Sequence, residues 1–195
     1  MDGFEKRREQ KRESIRRAAL GLFQAHGFRK VSVAEIARQA GVSQVTIYNY
    51  FGSKEALVAD VIKWFILGTV ERYRAVIASD RPFGEKLEEI VFDKSRLASL
   101  FQGELLATYV KGNPEIGEFV QRLTDEEITP LSRRFFEAGI REGYVDKRFS
   151  IETIMLYLEI VRRGFFSNPE MADRLSENPA VMRELIQLMT YGLNG

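Results

Sequence analysis

Apolar residues recur along this chain at helical spacing, and nowhere do they alternate for long enough to make a strand. Ile15, Ala18, Ala19, Leu22 and Phe23 fall at i, i+3, i+4, i+7 and i+8, one apolar stripe on a first helix over about residues 6–26. That helix stops at His26-Gly27-Phe28, where glycine suits the left-handed residue that ends a helix. A second short helix follows Ser32, which stands three residues before Glu35, the spacing of a capping box. Val33, Ile36, Ala37 and Ala40 form its inward side and Gly41 closes it. Ser43 is placed to cap a third helix over 44–51, and Ser53 a fourth that begins at Lys54. The second and third helices are joined only by a tight glycine-containing turn, Ala40-Gly41-Val42-Ser43. Two short helices so connected are the helix-turn-helix pattern.

The pattern continues as helices to the end. The fourth helix is expected over 54–78, with Leu57, Val61, Trp64, Phe65 and Gly68 on one stripe, and the SDRPFG stretch at 79–84 breaks it. Next come a helix over 85–110, bent near 94–96, a Gly-Asn-Pro break at 112–114, and a helix over 115–142 kinked at Pro130. A loop at 141–150 leads to a helix over 151–166. A Ser-Asn-Pro break at 167–169, a short piece over 170–177 and a last helix over 180–192 complete the chain. The expected fold is all-α, with an N-terminal three-helix helix-turn-helix domain over 1–53 and a C-terminal helical domain over 54–195.

Composition narrows the chemistry. Hydrophobic residues at 45% and charged residues at 29% suit a folded soluble protein. With no cysteine and a single histidine, His26, thiolate chemistry, disulfides and histidine metal clusters are excluded, and no cofactor is expected. The longest strongly apolar run lies near residues 64–67, far short of the ~20 residues a membrane span needs, and no apolar stretch follows the charged N-terminus. A cytoplasmic protein with no membrane partner is expected. Enzymatic work is not expected either: Asp125, Glu126 and Glu127 are consecutive on a helix and diverge, no glycine-rich phosphate loop is present, and His26 has no nucleophile beside it.

Charge is unevenly placed. Residues 1–60 hold 11 Lys/Arg against 7 Asp/Glu, whereas 61–195 hold 18 against 21. Seven of the twelve residues in 6–17 are basic. A solvated helix face can look like this, but a basic end on a mildly acidic body also suits a polyanion partner. On the third helix, Ile47 and Phe51 point inward with Val42. Gln44, Val45, Tyr48 and Asn49 share another face, flanked by Thr46 and Tyr50. In a DNA major groove, Asn and Gln pair with adenine edges and Val touches thymine methyls. Tyrosine and threonine hydroxyls and Lys54 suit phosphate oxygens, and the helix N-termini at Ser32 and Ser43 offer N–H groups to phosphates. Tyr48 and Tyr50 could equally cover a small core.

Residues 15–57 read IxxAAxxLFxxxGFxxxxVxxIAxxAGVSxxTIYxYFxxKExL, which resembles the DNA-binding domain of the tetracycline-repressor (TetR) family. The remaining three quarters of the chain is similar only in architecture. The resemblance implies a homodimeric all-helical transcription factor, most often a repressor, whose C-terminal helices form a ligand cavity and a dimer interface. It implies that Ser32 and Val33 approach a phosphate, that Gln44, Val45 and Asn49 face bases, and that Thr46, Tyr48, Tyr50 and Lys54 grip the backbone. Many relatives carry Lys or Arg near position 44 and Gly or Ala at 45, so Gln44 and Val45 prevent an operator from being borrowed. The arginine-rich arm over 7–17 is a further candidate for DNA contacts.

A dimer is also expected from the pattern itself. Ile151, Ile154, Met155, Leu158 and Val161 form one stripe, and Leu156, Tyr157 and Ile160 a second, overlapping side; the last helix carries Val181, Leu185 and Leu188. Helices apolar over most of their girth are buried on more than one face, and a two-fold pair of such helices makes a four-helix interface. For an effector, the aromatic-rich body offers Trp64, Phe65, Phe92, Phe101, Leu105, Tyr109, Phe119, Phe135 and Tyr157 as lining residues, each of which could instead be core. They suit an apolar or amphipathic ligand. A regulator answering to a protein partner, or an architectural DNA-binding factor, is the alternative.

Overall fold

The computed structural model describes residues 3–90, 112–167, 178, 180–181, 184–185 and 188. The described elements are α1 (Gly3–His26), α2 (Val33–Ala40), α3 (Gln44–Phe51), α4 (Lys54–Ala78), helical residues 83–90, α5 (Pro114–Leu123), a π-helical turn (Thr124–Ile128), α6 (Thr129–Arg141) and α7 (Ile151–Ser167). Residues 180–181, 184–185 and 188 are helical again, and no strand occurs among the described residues. The chain divides into two compact units, Met1–Thr69 and Val70–Gly195. Residues 54–69, placed in the body from the sequence pattern, therefore lie in the first unit, and α4 continues past Thr69 into the second.

In the first unit the short helices are held by their ends. Ser32 Oγ accepts the Glu35 N–H at 3.2 Å while the Glu35 carboxylate accepts the Ser32 N–H at 2.8 Å, a complete capping box. At the other end of α2 the Gly41 N–H donates to the Arg38 carbonyl and the Val42 N–H to the Ala37 carbonyl, the two bonds of a Schellman motif. Gly41 sits at φ 66°, where a side chain would be strained, and this lets the chain turn sharply enough to start α3 three residues later. Ser43 and Ser53 cap α3 and α4 through the Thr46 and Ala56 N–H groups, each at 3.0 Å. Ile15, Ala19, Phe23, Val31, Val33, Ile36, Ala37, Ile47, Leu57, Val58, Val61 and Ile62 are buried. On α4, Val58 and Ile62 take inward places, while Gly68, expected on that stripe, is exposed and Trp64 and Phe65 are half-buried.

The second unit is built on aromatic packing. Phe83, just after Pro82, stacks on Phe135 with centroids 4.4 Å apart and meets Phe136 edge-on at 6.1 Å. Val76, Leu87, Ile90, Val145 and Ile154 complete this core, with Tyr73, Ile77, Ile140, Phe149, Ile151 and Leu158 packed around it. A Cβ on Gly139 would come within 2.6 Å of the Phe83 ring and 2.9 Å of Val145, so only glycine fits there.

The helix expected over 115–142 is instead three pieces, with the irregularity ahead of Pro130. Proline has no N–H to donate and its ring crowds the carbonyl four residues back. The ladder widens, and the Thr129 N–H reaches the Thr124 carbonyl five residues back. Thr124 is buried, and its hydroxyl donates to the Val120 carbonyl at 2.7 Å.

Candidate nucleic-acid interface

The third helix presents two unlike sides. Ile47 is 1% exposed and anchors it, with Phe51 half-buried one turn on. Gln44, Val45, Tyr48 and Asn49 are all exposed, Val45 at 66% and Tyr48 at 48%. An exposed valine beside an exposed tyrosine, on a helix with no charged residue between 44 and 51, gains little from water. The same four side chains offer amide forks, a methyl pair and a phenol, a set matched to base edges and phosphates. Thr46 and Tyr50 flank this face half-buried, and Thr46 shares a 2.8 Å hydroxyl contact with Ser43.

The flanking groups divide more finely than the sequence pattern suggests. The side chain of Val33 is buried, because the first inward position of α2 is needed by the small core; towards a phosphate it can offer only its backbone N–H. The Ser32 hydroxyl donates to Glu35 at 2.7 Å, and these hydrogen bonds hold the Glu35 carboxyl below the usual carboxylate range. The α2 terminus thus already carries its own anion. Lys54 Nζ donates to the Arg29 carbonyl at 3.3 Å, which ties the start of α4 to the turn between α1 and α2 and leaves two ammonium protons for a phosphate.

Within the basic arm, Arg17 pairs with Glu13 at 2.5 Å, and Arg12 and Arg16 both reach Asp60 on α4. Their charge is therefore largely answered inside the protein. Arg8 lies with its guanidinium 5.9 Å from the Tyr50 ring centroid and Arg12 5.3 Å from that of Phe51. Asp60 was not a candidate from sequence. An acidic residue on an otherwise apolar helix turn gives no local signal of what it holds forty-eight positions upstream.

Residues 15–61 match the family described as bacterial regulatory proteins, tetR family. YdgC of Bacillus subtilis (strain 168), an uncharacterized HTH-type transcriptional regulator, is 39% identical over 185 residues, covering 93% of this chain and 92% of YdgC. The chain belongs to the tetR family. The HTH-type transcriptional repressor KstR2 of Rhodococcus jostii (strain RHA1) is 26% identical over 147 residues, covering 72% of this chain and 70% of that protein. The fatty acid degradation regulator FadR of Bacillus halodurans, at 22% identity, has the same fold with a TM-score of 0.62, covering 94% of this chain and 96% of its own. As a tetR-family protein the chain is a DNA-binding transcriptional regulator with an all-helical fold.

The residues expected to serve the tetR-family body are only partly brought together. On α7, Ile154 is 2% exposed and Ile151 and Leu158 pack on the same core, so this stripe serves its own unit. Met155 and Val161 are half-buried. The outward side is the other one, Leu156 at 58%, Tyr157 at 40% and Ile160 at 60% exposed. The periodicity gave two apolar sides; only packing decides that the Phe83 core takes the first. Val181, Leu185 and Leu188 are exposed. Of the lining candidates, Phe135 is buried in the Phe83 stack, Tyr157 faces outward, and Trp64, Phe65 and Phe119 are half-buried. Phe92, Phe101, Leu105 and Tyr109 lie outside the described residues, as do most of the last helix and the 170–177 piece. No described helix is long and apolar enough to cross a membrane.

Proposed function

We propose that this protein is an effector-responsive repressor that reads a near-palindromic operator as a homodimer, with Gln44, Val45 and Asn49 on bases. Ser32, the Val33 N–H, Thr46, Tyr48, Tyr50 and Lys54 hold the phosphate backbone, and Arg8 is added to them because Tyr50 holds it at the end of the reading helix. The observation that carries this reading is the exposed, uncharged face of α3 with Val45 at 66%. The repressor sign rests on KstR2 of Rhodococcus jostii being a named repressor. The protein catalyses no reaction and works in the cytoplasm.

The dimer seam is placed on Leu156, Tyr157 and Ile160 of α7 with Val181, Leu185 and Leu188, because exposed large apolar side chains at helical spacing call for a cover. Two copies would set their α3 helices about one duplex turn apart, ~34 Å. The effector is apolar or amphipathic and is taken up by the aromatic-rich second unit, where Phe119 is a lining candidate that remains half-buried. It releases DNA only to the extent that it binds the non-operator arrangement better, typically ~1–3 kcal/mol of coupling.

Selection of sites from random duplex DNA at ~150 mM salt tests the reader, with two inverted half-sites as the expected outcome. A single asymmetric site would exclude the two-fold reader. Sedimentation of Ile160→Glu tests the seam. It should shift the wild-type dimer to monomer, and an unchanged dimer would move the interface elsewhere. Release of the selected operator by a purified protein and by no small molecule would favour the partner-controlled alternative.

A further inference from the structure

We infer that Asp60 is a positioning residue for DNA recognition: through Arg12 it fixes the C-terminal end of α3, and with it the angle at which Gln44, Val45 and Asn49 meet the bases. The inference rests on α3 being the base-reading helix.

Helix α3 is eight residues long and has one fully buried side chain, Ile47. A helix this short has little rigidity of its own, and one anchor leaves it free to roll and tilt. The second point of attachment is Phe51, its last residue, which is half-buried. The Arg12 guanidinium lies over the Phe51 ring, 5.3 Å from its centroid. Arg12 is in turn held by Asp60, Nη2 to Oδ2 at 2.9 Å. Asp60 itself is steadied by Arg16 through two bonds, Nε to Oδ1 at 2.5 Å and Nη2 to Oδ2 at 3.3 Å, and Arg16 by Glu9 at 2.6 Å.

The side chains of Arg16, Asp60 and Arg12 are 12%, 24% and 31% exposed, so the cluster is shielded from salt far more than a surface pair is. The Arg16 charge is reinforced, its pKa raised chiefly by the hydrogen bond to Asp60. Thus one carboxylate on α4 connects α1 to the end of α3. It also withdraws two arginines of the basic arm from contact with phosphate.

The two possible effects of Asp60 on DNA binding have opposite signs, which makes them separable. Removing a negative charge beside a polyanion, and freeing two guanidinium groups, should by electrostatics alone tighten every duplex and steepen the salt dependence. Loss of positioning should instead weaken the operator while sparing unrelated DNA. The experiment measures the full-length protein on the duplex it selects and on a scrambled duplex of equal length, across a salt series.

For Asp60→Asn we expect operator affinity to fall about tenfold, with scrambled-duplex affinity equal or higher. Phe51→Leu keeps every charge and most of the apolar volume. It should weaken the operator in the same direction, by less, and leave the scrambled duplex unchanged. Operator binding by Asp60→Asn as tight as wild type overturns the inference. So does unchanged operator binding by Phe51→Leu, which decides the matter if Asp60→Asn loses its helicity. Asn49→Ala on the same duplexes separates the two levels: if it alters no base preference, α3 is not the reader, whatever Asp60→Asn does.

Discussion

The two units of this protein are held together by different means. The first is stitched at helix ends: Ser32 with Glu35, Gly41 at φ 66°, Ser43 with Thr46, and Ser53 with Ala56 each fix a turn within three or four residues. The second is held by rings meeting across long stretches of chain, Phe83 on Phe135 and Phe136, with Gly139 and Val145 closing the space. Local devices fix where a short helix starts and stops, and so which of its side chains are exposed. Long-range packing fixes which side of a helix is inside, and local sequence does not encode that choice.

This contrast predicts where substitutions should act. The largest effect is expected from Phe83→Ala, which empties the centre of the ring stack and should destabilise the second unit by about 3–5 kcal/mol. Hydrogen exchange should accelerate in α6 and residues 83–90 while α2 and α3 keep their protection. Equal acceleration in α2 would mean that the units are not separately held.

Gly139→Ala comes next. In an ordinary helix alanine would stabilise by about 1 kcal/mol. Here the new Cβ meets Phe83, which is buried and stacked, so a loss of about 1–3 kcal/mol is expected. A raised melting temperature would show that the Phe83 ring can move aside.

Ser32→Ala removes the α2 cap and should cost about 1 kcal/mol, confined to the first unit. The sign of its pH dependence follows from Glu35. Its carboxyl is held below the usual range by Ser32, so the box contributes fully above the ordinary carboxylate range and is lost as pH falls through the lowered value. Wild type and Ser32→Ala should therefore converge in stability on acidification. A gap that widens in acid would contradict the box.

The same contrast explains what was legible in the sequence. The caps, the turn and the inward positions of α2 and α3 could be read directly, because each depends on neighbours within four residues. Residues 15–57 carry the family pattern for the same reason. Val33 was legible as an inward residue of α2, and the family resemblance also gave it a phosphate; its burial leaves only the backbone N–H for the second role. On α7 the pattern showed two apolar sides, and the core took Ile151, Ile154 and Leu158, leaving Leu156, Tyr157 and Ile160 outward. Phe135 has no neighbour in sequence that marks it as core rather than cavity lining; its stacking partner Phe83 lies fifty-two residues away. The Asp60 cluster was hidden because its partners lie forty-four and forty-eight residues away. The widened turn ahead of Pro130 was foreseeable as a kink, since proline acts on the residue four before it.

The proposed function stands or falls with base reading by the exposed face of α3. Its most direct test is parallel selection from random duplex DNA with the wild-type protein and Asn49→Ala, at one salt concentration. Both proteins should enrich the same two half-sites, and the variant should lose preference at one base pair in each, by about 1–3 kcal/mol of discrimination. An identical motif from both proteins would contradict it.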